Sequence, residues 1–181
     1  MNSWAAIAGR IRVPVGFAFA ALYFWLAQPR VWSLVGGITI AVLGLWIRAV
    51  ASGHVRKNEN LTMTGPYAYV RNPLYLGSAI IAAGFTIAAR SGWVALVMLA
   101  MFAFIYLPVI RSEEAFLRAK FPEFEEYTRR VPRLLPRLTA SDNPRGVFSW
   151  ELYWKHHEYN ALLGALLMTA ALSLKMIWFT H

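Results

Sequence analysis

The stretch GPYAYVRNPLYLG, residues 65–77, stands immediately before a run of apolar residues that enters the bilayer. Gly65-Pro66 and Asn72-Pro73 are turn signals, so the chain folds sharply before the run begins. The tyrosines are typical of an interfacial aromatic belt, and Arg71 is typical of a membrane boundary. Those explanations fit each residue alone, but not the concentration of rings, donors and rigid turns in one short segment.

The composition is that of a membrane protein, because 58% of the residues are hydrophobic and only 15% are charged. Each apolar run approaches the roughly 20 residues that cross a bilayer core. We therefore predict an all-α, polytopic membrane bundle of about five transmembrane helices, over 13–27, 31–50, 74–89, 92–110 and 159–179. The short third run is either interfacial or re-entrant, or is extended at its beginning by Tyr67 to Tyr75.

The distribution of charge predicts the orientation. With the N-terminus in the cytoplasm, all but three of the 18 Lys and Arg residues lie on the inner side. All nine acidic residues also lie there, in segments 51–73 and 111–158. Chemistry that needs ionisable groups is therefore expected at the cytoplasmic interface. Nucleic-acid binding is not expected, since the basic residues are dispersed among acids and membrane spans.

The residue types that usually bind metals or act as nucleophiles are scarce. The chain has no cysteine, which excludes disulfides, thiolate zinc sites and a thiol nucleophile. Among its four histidines only His156 and His157 are close in sequence, and adjacent helical residues project about 100° apart. No metal site is predicted.

The chain is predicted to be a single domain, residues 1–181. A polar loop at 51–66 joins two hairpins of spans, and a long amphiphilic inner segment at 111–158 precedes the last span. One helical face of the inner segment is apolar and is expected to lie on the bilayer or on the bundle: Leu117, Phe121, Phe124 and Val131. Prolines are expected to start a new helix at Pro122, after a break at Phe121, and to end it at Pro132.

Two adjacent acids, Glu113 and Glu114, stand at the end of the fourth span. A carboxylate near the membrane boundary is costly unless it is paired or faces water. Either both are solvated and paired with Arg111 or Arg118, or one of them holds an ammonium group or ribose hydroxyls. Because they lie on the same side as residues 65–77, the two polar sets predict a pocket.

Taken together, GPYAYVRNPLYLG, the following hairpin and EEAFLRAKFPEFEEYTRRVPRLLP resemble the integral-membrane methyltransferases of the isoprenylcysteine carboxyl methyltransferase and phospholipid methyltransferase superfamily. The resemblance covers about residues 50–136, and the 159–179 span lies beyond it. It implies S-adenosylmethionine as methyl donor, bound between the spans and the inner segment. It also implies a lipidic or prenylated acceptor, either a small molecule or a peptide.

The resemblance also assigns site residues. It implies cofactor binding by Tyr67, Arg71, Asn72, Pro73, Tyr75, Glu113 and Glu114. It implies catalytic or substrate-handling roles in the closing segment for Glu126, Tyr127, Arg130 and Arg133. The chain departs from the family at Asn72, where histidine is common, so a hydrogen bond is retained there but proton transfer is not.

The acceptor and two other functions remain open at this stage. A carboxylate is already ionised near neutral pH, whereas an amine arrives protonated and needs a base. Because the motifs lack histidine, we expect carboxylate O-methylation, with phosphatidylethanolamine-type N-methylation as the alternative. An NADPH-dependent sterol-type reductase has a similar glycine-proline-tyrosine pattern, and a non-catalytic protein that binds anionic lipid would have a similar basic segment.

Overall fold

The computed structural model describes residues 3–56, 59–140 and 146–179. The stretch TASDNPRG, residues 139–146, is rich in turn-forming residues and is expected to connect the inner segment to the last span; it lies partly outside the described residues. Every regular element in the described ranges is helical, which confirms the all-α prediction. The α-helices are α1 (Ser3–Leu26), α2 (Val31–Ser52), α3 (Pro73–Ala89), α4 (Gly92–Met101), α5 (Leu107–Lys120), α6 (Phe124–Arg130), α7 (Trp150–Lys155) and α8 (Tyr159–Phe179).

The long helices form a membrane bundle. Three are long and apolar enough to cross a bilayer, Val31–Ser52, Gly92–Lys120 and Tyr159–Trp178, and two shorter apolar helices accompany them, Val15–Leu26 and Pro73–Ala89. Large apolar side chains are exposed along these helices: Phe17, Trp46, Leu99 and Leu167. Such surfaces are stable facing lipid, since lipid tails are as apolar as the side chains.

Helices α2 and α3 pack most closely, through small residues on both. A Cβ atom placed on Gly84 would lie 2.5 Å from the carbonyl oxygen of Gly37, and one on Gly77 would lie 2.7 Å from that of Gly44. Only glycine allows the two backbones to approach this far, as in other small-residue helix contacts in membranes. Among the described helices, this pair has the most extensive contact.

The third helix begins later than one of our alternatives predicted. A 3₁₀ turn, Gly65–Ala68, is followed by a bend, and α3 starts at Pro73. The predicted extension from Tyr67 is wrong because Asn72 precedes a proline, which disfavours helical geometry at that residue; its ψ angle is 61°. Gly65 permits the turn by adopting a φ of 59°.

The fourth span continues without a break well past its predicted end at residue 110. A π-helical turn, Phe102–Tyr106, joins α4 to α5, so one continuous rod runs from Gly92 to Lys120. Pro108 has no N–H to donate, and the widened turn just before it accommodates its ring within the rod. The extra turns support Glu113 and Glu114 on a regular helix.

The apolar face of the inner segment lies on the bundle. Phe124, Tyr127 and Val131 form a buried cluster with Leu61 and Leu117, and Phe121 packs against it. The predicted break at Phe121 and the predicted helix end before Pro132 are confirmed, but the new helix begins at Phe124 and not at Pro122. Leu61 belongs to the loop after α2, so this cluster ties that loop to α6.

We expect Gly84→Leu to lower the yield of folded protein and to destabilise it by about 1–3 kcal/mol, the usual cost of overpacking, because its side chain meets the α2 backbone. Gly164→Leu is the matched control, since a Cβ at Gly164 meets nothing within 4 Å. Thermal unfolding in one detergent compares the two. Equal stability of both variants would contradict the packing described.

Candidate active site

Glu114 is the centre of a polar cluster at one end of the bundle. Glu114 is 4% exposed. Its carboxylate accepts three hydrogen bonds, one from Asn72 and two from Arg133. Asn72 Nδ2 donates to Oε1 over 3.0 Å, while Arg133 donates to Oε2 from Nε over 2.9 Å and from Nη2 over 2.7 Å. Arg71 Nη1 lies 3.4 Å from Oε1. The lone pairs of this carboxylate are therefore largely used within the protein.

The main chain joins the same two segments. Arg71 N donates to Pro132 O over 2.9 Å, and Arg137 N donates to Tyr69 O over 3.0 Å. Asn72 Nδ2 also contacts Arg133 O at 3.2 Å, so one amide group bridges the acid and the backbone beside it. The structure thus brings residues 65–77 and the segment after α6 together. Asn72 and Tyr75 also contact Glu114 and Glu113, so the two polar sets of the pocket prediction do meet.

Two tyrosines hold α6 against the 3₁₀ turn. Tyr127 Oη donates to Tyr67 O over 2.7 Å, and both residues are buried. Burial raises the pKa of the Tyr127 hydroxyl, with Arg71 opposing the rise. Burial also raises the pKa of the Tyr67 hydroxyl, and the nearby Tyr127 and Glu113 add to that rise. Both phenols therefore remain protonated near neutral pH, and the Tyr127 hydroxyl donates to the Tyr67 carbonyl oxygen.

Glu113 has surroundings quite different from those of its neighbour. Its Oε1 accepts a hydrogen bond from Tyr75 Oη over 2.8 Å, and the residue is exposed. Adjacent residues on an α-helix project about 100° apart. Glu114 therefore points into the hydrogen-bonded cluster with Asn72 and Arg133, while Glu113 remains accessible. Of the two acids, Glu113 is the one whose carboxylate has capacity to bind a ligand.

Arg71 is incompletely satisfied. Its side chain is 12% exposed, and its Nε atom is buried without a hydrogen-bond partner among the described residues. Burial lowers the pKa of the Arg71 guanidinium, Glu114 acts to raise it, and Arg133 lowers it further. Arginine stays charged at any physiological pH. A buried, charged donor with an unused N–H favours an anionic or carbonyl-bearing ligand.

A cavity of about 310 Å³ adjoins these side chains. Its polar end and its apolar walls come from α3, α5, α6 and the loop after α2. The lining residues are Val55, Arg56, Asn60, Leu61, Thr62, Tyr67, Arg71, Asn72, Pro73, Leu74, Tyr75, Glu113, Glu114, Phe116, Leu117, Phe124 and Tyr127. Apolar walls with a few convergent polar groups are typical of small-molecule sites.

Most of the residues assigned from the sequence lie at this cavity. Its walls include all seven residues expected to bind cofactor, and Tyr127. Arg133 is not part of the wall, but it donates hydrogen bonds to Glu114, which is. The hydrogen bond with Glu114 raises the pKa of the Arg133 guanidinium. Glu126 and Arg130 also lie outside the wall, on the exposed face of α6, where they pair with each other.

Sequence reasoning missed two parts of this region. The loop after α2 contributes Arg56, Asn60 and Thr62 to the wall, and no motif marked them. The ion pair of Arg48, which is 23% exposed, and buried Glu158 lies nearby. A signal for that pair existed, since an arginine within the 31–50 apolar run is itself a sign of a functional or paired site.

Comparison with known proteins identifies the family of this chain. The sequence profile of the phospholipid methyltransferase family matches residues 12–123. The chain belongs to that family. The match starts earlier than the expected 50–136 and ends before Tyr127, so α6 to α8 lie outside it. No solved structure matches the chain.

Two relatives carry names that refer to metal resistance. The cobalt-zinc-cadmium resistance protein CzcN of Cupriavidus metallidurans is 35% identical over 158 residues, covering 82% of this chain and 71% of that protein. The nickel-cobalt-cadmium resistance protein NccN of Alcaligenes xylosoxydans xylosoxydans is 40% identical over 104 residues, covering 57% of this chain and 48% of that protein. The chain thus spans about half the length of NccN in that comparison.

We expect Glu114→Gln to destabilise the protein by roughly 3 kcal/mol, near the lower end of the cost of breaking a buried ion pair, because Arg71 and Arg133 lose their shared counter-charge. Glu113→Gln makes the same chemical change one residue away and should cost less than about 1 kcal/mol, as for an exposed group. Thermal or chemical unfolding of both variants measures the difference. The assignment fails if Glu113→Gln is the more damaging change.

Proposed function

We propose that this protein is an integral-membrane methyltransferase that uses S-adenosylmethionine and acts on a lipidic or prenylated acceptor. Family membership supports methyl transfer as the reaction class. The observation that carries the proposal is the cavity itself. Its wall contains an accessible carboxylate, Glu113, beside the buried carboxylate of Glu114, which is hydrogen-bonded to Asn72 and Arg133. A cationic, amphiphilic cofactor fits such a combination of acid and apolar wall.

The donor set is consistent with this cofactor. Glu113, oriented by the hydrogen bond from Tyr75 Oη, would hold an ammonium group or ribose hydroxyls, and Tyr67 lines the cavity nearby. Leu74, Phe116 and Leu117 provide apolar surface for a ring or a methylene chain. When bound, the cofactor supplies a methyl group on a positively charged sulfur, which is already activated for transfer.

The protein's own contribution is mainly alignment and exclusion of water. In-line displacement requires the nucleophile, the methyl carbon and the sulfur to lie on one line, and effective positioning contributes much of the rate. The apolar walls keep water from competing as a nucleophile. Asn72 donates both of its contacts to fixed acceptors, Glu114 and Arg133 O, so it holds the wall in shape and does not transfer a proton.

For the acceptor we favour a carboxylate, giving a methyl ester. Such a nucleophile needs an orienting cation and no base, and Arg71 and Arg56 are the cations in the cavity wall. A protonated amine acceptor would need a base, for which Glu113 is the available candidate. N-methylation of a phospholipid amine is therefore the alternative. Arg130, Arg133, Glu126 and Tyr127 stay proposals as substrate-handling residues, with Tyr127 alone among them in the wall.

We also propose that this end of the bundle faces the cytoplasm, together with the N-terminus. The excess of Lys and Arg in the connecting segments at this end supports that orientation. The soluble cofactor then enters from the cytoplasm, while an acceptor with an apolar tail enters from the bilayer.

Resistance to divalent metals is a second, physiological proposal. It is favoured by the 35% identity to CzcN across most of this chain. Among the described residues, no three His, Cys, Asp or Glu side chains come together as a metal site. Because the chain belongs to a methyltransferase family, we relate resistance to modification of a membrane component.

We expect S-adenosylmethionine to stabilise the purified protein against heat, since a ligand that binds only the folded state adds about 2.7 kcal/mol at 100 times its Kd. Glu113→Gln should weaken that protection without lowering the unfolding temperature of the ligand-free protein. NADPH serves as the competing ligand. Protection by NADPH and none by S-adenosylmethionine would replace the proposal with the reductase alternative, and protection by neither would favour a non-catalytic role.

The acceptor class follows from labelled product. Membranes containing the protein are incubated with S-adenosylmethionine carrying a radioactive methyl group, and lipid and peptide fractions are separated. We expect label that is released by mild base, as an ester is, and Glu113→Gln membranes should lack it. Base-stable label would indicate N-methylation instead. More labelled product after growth with cobalt, zinc or cadmium would support the resistance proposal, and an unchanged amount would contradict it.

A further inference from the structure

A partly buried ion pair lies next to the cavity wall, and one of its members precedes a helix that the family match does not reach. Arg48, near the end of α2, contacts Glu158, just before α8, through Nε to Oε1 at 2.5 Å and Nη2 to Oε2 at 3.0 Å. Glu158 is 7% exposed. The match to the family ends at residue 123, so Glu158 belongs to a part of the chain with no assigned role.

The same guanidinium also holds the beginning of α3. Arg48 Nη1 donates to Ser78 Oγ over 2.5 Å and to Leu74 O over 3.2 Å. Leu74 lies in the cavity wall, between Pro73 and Tyr75, which also line it. Arg48 therefore connects three elements: α2, the first turn of α3, and the segment that leads into α8.

The segment before α8 also caps the end of α2. Ser149 N donates to Gly53 O over 2.9 Å, and His156 Nδ1 lies 3.1 Å from Ser52 O. Carbonyl groups at a helix C-terminus have no partner within the helix, so these contacts satisfy groups that would otherwise be unpaired. The ring of Phe148 occupies the space where a Cβ on Gly53 would stand, at 2.2 Å.

The loop after α2 and the first turn of α3, which these contacts hold in place, both form walls of the cavity. The loop that leaves α2 supplies Val55, Arg56 and Thr62, and the first turn of α3 supplies Leu74 and Tyr75. The electrostatic surroundings of the Tyr67 hydroxyl also include both members of the pair, Glu158 raising its pKa and Arg48 lowering it. The pair contacts the wall directly at the Leu74 carbonyl oxygen.

We propose that Arg48 and Glu158 are positioning residues of the methyl-transfer site, and that the C-terminal segment 148–158 functions by fixing two of the cavity's walls. The inference rests on the proposed function for its catalytic meaning. Its structural part concerns residues 53–56 and 59–62 of the loop and residues 73–78, and it can be tested without any ligand.

The experiment separates positioning from stability. Glu158→Gln alone leaves Arg48 without its counter-charge and is expected to destabilise the fold. The double variant Arg48→Met/Glu158→Leu removes both charges, and replacing a buried ion pair by apolar residues is often neutral for stability. The matched control is Arg118→Met/Glu125→Leu, the same change at a pair whose side chains are 55% and 56% exposed.

Two measurements are made on the purified full-length protein in detergent. Hydrogen–deuterium exchange should become faster in 53–56, 59–62 and 73–78 in the Arg48/Glu158 double variant, and remain unchanged there in the control. The affinity for S-adenosylmethionine should fall about tenfold, within the range of effects from residues outside a binding site, while the unfolding temperature stays near that of the wild type.

A purely structural role predicts a different outcome. The double variant would then regain wild-type exchange and wild-type affinity together with its stability, which would overturn the proposal. Faster exchange with unchanged affinity would overturn its catalytic part. If the wild-type protein itself binds no S-adenosylmethionine, the proposed function fails, and the exchange data alone decide whether the pair positions the walls.

Discussion

The architecture of the site depends on one buried carboxylate, that of Glu114. Removing a carboxylate from water is costly, and the cost is recovered only when charged and neutral donors surround it with good geometry. Asn72 and Arg133 provide those donors from segments far apart in the chain, and Arg71 adds a second positive charge. Without Glu114 the two guanidinium groups would repel each other. The acid therefore decides that the two segments meet.

The two adjacent glutamates, Glu113 and Glu114, have different roles in this site. The carboxylate of Glu114 is hydrogen-bonded to Asn72 and Arg133 and holds the two segments together. Glu113 projects about 100° away on the same helix and lines the cavity, where it accepts a hydrogen bond from Tyr75. A long, regular helix makes the division possible, because the rod continues past Pro108 through a π-helical turn. Had the helix ended at the membrane boundary, both acids would have been solvated in a loop.

The bilayer explains why polar interactions concentrate at one end of the bundle. Along the spans, helix contact relies on close packing, as between Gly84 and the α2 backbone, since lipid offers no hydrophobic drive for association. At the cavity end, water and ions are available, and buried charges form pairs there. Arg48 and Glu158 belong to the same pattern, because α8 brings a counter-charge to an arginine that an apolar helix could not otherwise accommodate.

The sequence by itself determined the helical membrane class, because hydrophobic runs of bilayer length are a local property of the chain. It also identified the motif around Arg71 and the acid pair, since their residue types are unusual where they occur. Only the tertiary structure decided that Glu114 is braced and Glu113 accessible, that α3 begins at Pro73, and that Glu158 reaches Arg48. These outcomes depend on which distant groups come together in three dimensions. Local periodicity and composition contain no information about such pairing.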